Sequence, residues 1–151
     1  MYFDQQLCLF NITATSQQAV LTQMAQMLLE HQIVTTDFLA GILQREKEYP
    51  TGLLVNSVGF ALPHTDSTKV NRPQICFASL AEPVNFCSMA DKDEIVPVKF
   101  IFMLAMKQPH EQLENLQNLV ALFQDEQKVQ LLAQCHSTHE FISILASAGV
   151  N

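Results

Sequence analysis

Val98-Lys99-Phe100-Ile101-Phe102-Met103-Leu104-Ala105-Met106 is the stretch that decides the fold. After Lys99 it is apolar throughout, and Phe100 to Met106 is the longest unbroken apolar run in the chain. Seven residues fall far short of the roughly 20 needed to span a bilayer. The run therefore reads as a strand covered on both faces. Upstream, Ile75 to Leu80 reads as a second strand, Pro83 to Phe86 as a short edge strand and Gln6 to Ile12 as another strand. Between Thr51 and Asp66 Gly52, Gly59 and Pro63 mark turns and short strands.

The covering layers come from helical periodicity. Ser16 to Gln32 places Val20, Met24, Met27 and Leu28 at helical spacing, with Thr15 or Ser16 as cap. Thr36 to Glu48 turns Phe38, Leu39, Ile42 and Leu43 inward and stops before Pro50. After the central strand, Glu111 to Gln124 puts Leu113, Leu116, Val120 and Phe123 on one stripe; Gln127 to Gln134 follows. Thr138 to Ala148 then buries Phe141, Ile142 and Leu145. The expected architecture is a single α/β domain over residues 1–151, a mixed β-sheet flanked by helices on both faces.

Composition narrows the function. The 151 residues hold 8 Lys and Arg against 15 Asp and Glu, a formal charge of −7, which argues against nucleic-acid binding and docking on anionic lipid. Charged residues are only 15%, and sixteen Gln supply polar surface instead, so neutral faces are available for protein contacts. The N-terminal Met1 to Gln18 reads as no signal peptide. Cys8, Cys76, Cys87 and Cys135 lack C-x-x-C pairing and read as buried, reduced thiols of a cytoplasmic protein.

Five histidines are the candidates for chemistry. His31 ends a helix, and His136 and His139 follow Cys135 at a helix start with no second ligand pair, so no metal site is expected. His64 differs: it follows Gly59-Phe60-Ala61-Leu62-Pro63, so stiff backbone presents its imidazole at a strand end. Such an imidazole can act as base, metal ligand or nucleophile. His110 opens the helix after the central strand. Open α/β sheets place ligands beyond strand C-termini. The two histidines can therefore share one rim, and with a helix N-terminus they would receive an anion such as phosphate.

Arg45-Glu46 with Pro50-Thr51-Gly52, followed by Gly59-Phe60-Ala61-Leu62-Pro63-His64, resembles the signature of the enzyme IIA components of the fructose/mannitol class of the bacterial sugar phosphotransferase system. Phe86-Cys87-Ser88-Met89, the central strand and His110 with Leu113, Leu116 and Leu119 follow in that family's order, over nearly the whole chain. Arg45 to Gly52 and Pro63-His64-Thr65-Asp66 are most similar to galactitol-type IIA proteins. The resemblance implies a phosphotransferase without cofactor or metal. It implies that His64 accepts a phosphoryl group from the carrier protein HPr and passes it to a cysteine of a IIB component. IIB in turn serves sugar uptake through the membrane IIC permease. It assigns His110 to binding the phosphoryl group and sets Arg45 beside it. Where relatives often carry glycine after the active histidine this chain has Thr65, so a differently shaped turn is expected.

Transfer of this kind needs in-line positioning and donors for the equatorial oxygens. His64 must present a neutral nitrogen, with a hydrogen bond from the other nitrogen to a backbone carbonyl fixing the tautomer; the resemblance makes Nε2 the attacking atom. His110 and Arg45 would donate to the phosphoryl oxygens, and Thr51 or Ser57 would add a hydroxyl. The alternatives are a IIA-like regulatory module controlled by histidine phosphorylation, and a hydrolase built on Ser57, His64 and Asp66. The latter lacks a G-x-S-x-G elbow.

Overall fold

A computed structural model covers all 151 residues. The apolar run forms most of β5 (Ile95–Ala105), at the middle of a five-stranded mixed sheet. β4 (Gln74–Cys87) pairs with it antiparallel on one side and β3 (Val58–Ala61) parallel on the other. β1 (Cys8–Ile12), parallel to β4, and β2 (Gly52–Val55), antiparallel to β3, are the edges, for the order β1-β4-β5-β3-β2.

The faces of β5 feed two separate cores. Val96, Val98, Ile101, Met103 and Ala105 pack with α1 (Gln17–Glu30) and α2 (Phe38–Glu48). Phe100, Phe102 and Leu104 pack with α3 (Pro109–Phe123), α4 (Glu126–Ala133) and α5 (Thr138–Ser147). The mixed sheet with helices on both faces is therefore as expected. Residues of a strand alternate between faces, yet Val98 and Ile101 share one. The extra residue is absorbed by a register shift in the β4–β5 ladder between Ser79 and Val84. Pro83 lies within that irregular stretch, where a missing N–H breaks no ladder bond. Pro83 to Phe86 is thus no separate edge strand: beyond the shift, Val84 to Cys87 continue β4 and pair with Val98 to Ile95.

The second core is aromatic. Phe60 stacks on Phe123 at a centroid distance of 3.8 Å, and Phe77 on Phe141 at 4.3 Å. That first stack sets the roll of α3. Its buried stripe is Asn115, Leu119, Leu122 and Phe123, with Leu116 and Val120 partly buried. Leu113, expected inward, is 59% exposed, because at 100° per residue it lies about 120° round the helix from Leu119. Its alignment with Phe123 and the Asn115 alternative are indistinguishable by spacing until the sheet chooses. β5 begins three residues before the expected Val98; elsewhere boundaries agree within two residues, and the Ser16 hydroxyl accepts from the Ala19 N–H at 3.1 Å, capping α1 as expected.

The cysteines are all free. Cys76 and Cys135 are buried, but Cys8 and Cys87 are only half-buried, since each sits where a strand meets the edge of a core. Burial pushes the Cys8 thiol up to about 12.

Gly59 is where β3 comes closest to β5. A Cβ there would overlap the Pro97 carbonyl oxygen, a backbone atom that cannot swing aside. Gly59→Ala should therefore destabilise the fold by about 1–3 kcal/mol, as overpacked cores do, read as a lower urea midpoint at unchanged m-value.

Candidate phosphoryl-transfer site

β3 and β5 run parallel as neighbours, so both chains leave the sheet on the same rim. The pairing continues beyond β3: the Leu104 N–H donates to the Pro63 carbonyl at 2.9 Å, and His64 stands in register with Leu104. Two residues after Leu104, Met106 leads out of β5, and His110 becomes the second residue of α3. The rim shared by His64 and His110 is thus a consequence of parallel register. His110 is exposed on it, and its imidazole has no hydrogen-bond partner. The first turn of α3 is held by Glu111, whose carboxylate accepts from the Gln108 N–H at 3.0 Å and the Tyr2 hydroxyl at 3.3 Å.

His64 is half-buried, and its Nδ1 lies 2.7 Å from the Leu62 carbonyl oxygen. A carbonyl can only accept, so in the neutral ring the proton sits on Nδ1 and Nε2 keeps its lone pair. Burial lowers the pKa of the imidazole below its ordinary value; the Arg45 charge adds to this and the Leu62 bond opposes it. At neutral pH the ring is an uncharged nucleophile with its tautomer chosen.

What steadies Leu62 is a buried carboxylate. The Leu62 N–H donates to Thr51 Oγ1 at 3.1 Å. The Thr51 hydroxyl lies 3.0 Å from both carboxylate oxygens of Glu46, and the Thr51 N–H donates to Glu46 Oε1 at 2.8 Å. Thr51 was expected to offer a hydroxyl to the phosphoryl group. Instead it is buried and its single proton is committed to Glu46. Ser57 is not at the site either. With Asn56 it forms the two-residue β2–β3 turn, both at positive φ. That is the opposite end of β3 from His64, roughly 20 Å away at ~3.3 Å per residue.

Arg45 reaches the rim from α2. Its guanidinium donates to Asp66 Oδ1 at 3.1 Å and lies over the Tyr49 ring, and Lys69 stands 3.9 Å from the other Asp66 oxygen. Asp66 is therefore occupied by cations rather than by His64, and with Ser57 remote no hydrolase-like triad forms. A depression of about 170 Å³ joins Arg45, Thr65, Asp66 and Ser67 to Met106 and Gln108 at the start of α3. Thr65 is buried against α2, and a Cβ on Gly41 would lie 2.7 Å from its Oγ1. The missing side chain at Gly41 is what accommodates a threonine after His64. At the far end of the chain, Cys135 Sγ lies 3.3 Å from the Ser137 carbonyl, while His136 and His139 are exposed. Nowhere do three or more His, Cys, Asp or Glu side chains converge as a metal site would require.

Two features of this site were not singled out from sequence as functional. One is Glu46; its signal was legible, since Phe38, Ile42 and Glu46 share the buried stripe of α2 and a carboxyl there is out of place. The other is the Gly41–Thr65 contact, which had no sequence signal.

The whole of residues 1–148 matches the family model described as phosphoenolpyruvate-dependent sugar phosphotransferase system, EIIA 2. The chain belongs to this EIIA type 2 family and is a phosphoryl carrier of the sugar phosphotransferase system. It is 26% identical over 121 residues to the galactitol-specific EIIA component of Escherichia coli K12, covering 80% of each chain. Its fold matches mannitol enzyme IIA of E. coli, solved in complex with phosphorylated enzyme IIB. There the TM-score is 0.75 at 21% identity, over 94% of this chain and 95% of the other. It also matches nitrogen regulatory protein IIA-Ntr of Neisseria meningitidis, with TM-score 0.73 at 24% identity and 92% coverage of both. No helix is long and apolar enough to cross a membrane.

Burial raises the Glu46 pKa from 4.5 to about 7, against the opposing pull of the Thr51 bonds. The folded chain holds this proton more tightly than the unfolded chain does. Stability should therefore fall as pH rises from about 4.5 to about 7, by up to about 3 kcal/mol. Glu46→Gln should flatten that segment of the stability–pH curve measured by urea unfolding.

Proposed function

We propose that this chain accepts a phosphoryl group on His64 Nε2 from phosphorylated HPr and passes it to a IIB component, serving sugar uptake through a IIC permease. The observation that carries the reading is the 2.7 Å bond from Nδ1 to the Leu62 carbonyl, which leaves Nε2 as the free nucleophilic nitrogen. In transfer, the bond from phosphorus to the donor breaks as a P–Nε2 bond forms. The Nδ1 proton stays, and the positive charge developing on the ring is spread toward Leu62. Arg45, already beside the rim, turns free N–H groups to the equatorial oxygens, and His110 adds a donor from the opposite bank. The complex of mannitol IIA with phosphorylated IIB supports a IIB component as acceptor. The galactitol-specific relative makes galactitol the first sugar to test.

Incubation with phosphoenolpyruvate, enzyme I and HPr should place acid-labile label on His64 and nowhere else. His64→Ala should abolish it; retention of label at full stoichiometry rejects the assignment. His110→Ala should leave His64 able to take label but slow onward transfer to IIB by about 10²-fold, the loss typical of one oxyanion donor. Arg45→Ala should cost a similar factor in both steps. Recovery of a IIB partner by pull-down separates carrier from regulatory module.

A further inference from the structure

We propose that Glu46 is a positioning residue for His64: its ionised carboxylate, acting through Thr51, holds the Leu62 backbone whose carbonyl selects the reactive tautomer. This rests on His64 being the phosphoryl acceptor. The path is short and continuous. Glu46 accepts from both the N–H and the hydroxyl of Thr51; Thr51 Oγ1 accepts from the Leu62 N–H; the Leu62 carbonyl accepts from His64 Nδ1. Leu62 is thereby gripped at its N–H and aimed at its C=O. The following residue, Pro63, adds no N–H of its own, and its carbonyl is held by the Leu104 N–H.

The charge state of Glu46 matters because Thr51 has one hydroxyl proton. With Glu46 ionised, that proton points to the carboxylate and a lone pair is left for Leu62. With Glu46 protonated, the carboxyl itself seeks an acceptor at Thr51 Oγ1. It takes one of the hydroxyl's two lone pairs and leaves the other to the Leu62 N–H, so the hydroxyl proton must turn away from Glu46 and Oγ1 loses the carboxylate that made it a strong acceptor. The protonated arrangement therefore loosens Leu62. In the folded chain Glu46 titrates near 7, while His64, held below its ordinary value, stays neutral above that pH.

The groups around Glu46 do not preempt this. None of the three ion pairs involves it. On its open side is a cavity of about 440 Å³. Toward it α2 turns Lys47, β4 and the turn after it turn Cys87 and Lys92, and α1 turns only Gln17, Gln18 and Leu21. From the active-site side come Thr51, which does not titrate, and His64 beyond it.

Two readouts test the inference. In the unphosphorylated protein, ¹⁵N NMR of His64 should show the Nδ1–H tautomer alone at pH 8. Glu46→Gln and Thr51→Val should each admit the Nε2–H form, and Thr51→Ser should not. In transfer from phosphorylated HPr, the wild-type rate should rise about tenfold between pH 6 and pH 8, the low end for partners that orient an imidazole. Glu46→Gln, whose amide imitates the protonated carboxyl, should stay near the wild-type pH 6 rate throughout. A Glu46→Gln protein that transfers at the wild-type rate at pH 8, or that retains the same rise, overturns the proposal. So does a single unchanged tautomer in both Glu46→Gln and Thr51→Val. If Glu46→Gln fails to fold, the Thr51→Ser and Thr51→Val pair decides alone: equal transfer rates reject the relay. Failure of the wild type to take label on His64 instead rejects the carrier reading and leaves the NMR result to stand by itself.

Discussion

Parallel pairing of β3 with β5 is the constraint from which the site follows. It sends two chain segments off the same edge of the sheet, and the Leu104–Pro63 bond prolongs it long enough to seat His64 at a fixed height on that rim. The cost of such pairing is a long crossover, and the chain makes it with the 14-residue β4 lying between the two strands in sequence. The tight approach of β3 to β5 at Gly59 and the Phe60–Phe123 stack both serve that one alignment. The stack also rolls α3, so the same contact that fills the core sets where His110 emerges.

On this frame the neutral state of His64 is made by subtraction. Burial removes the proton that would block Nε2, and a main-chain carbonyl keeps the remaining proton on the other nitrogen. No acidic side chain contacts the imidazole; Asp66, two residues away, is neutralised by Arg45 and Lys69. An acid directly against the ring would raise its pKa and repel an incoming phosphoryl group. The Glu46 carboxylate instead stands two hydrogen-bonded groups back, behind Thr51 and Leu62. The arrangement costs stability when Glu46 ionises.

Much of the fold was legible because hydrophobic period is a local signal. The unbroken run of β5, the stripes of α1 and α2 and the cap at Ser16 all read correctly from neighbouring residues. What misread was whatever depended on a neighbour distant in sequence. The roll of α3, which left Leu113 outside, is decided by Phe60; the continuity of β4 past Pro83 is decided by its register with β5. The site divides in the same way. His64 and His110 were visible as residues following strands. Ser57 was mistaken for a neighbour of His64 because closeness in sequence along an extended strand still means a large distance.

By itself, then, the sequence determined the element types and the family, and it set His64 on its stiff Pro63 backbone apart from the other histidines. Those rest on residue type and spacing, which need no partner. Only the tertiary structure decided that Thr51 faces inward to Glu46 rather than outward to a ligand, and that Gly41 makes room for Thr65. It also decided that the carbonyl holding the proton on Nδ1 is that of Leu62. Each of these is a choice between donors and acceptors brought together by packing, and a hydrogen bond has no direction until its partner is in place.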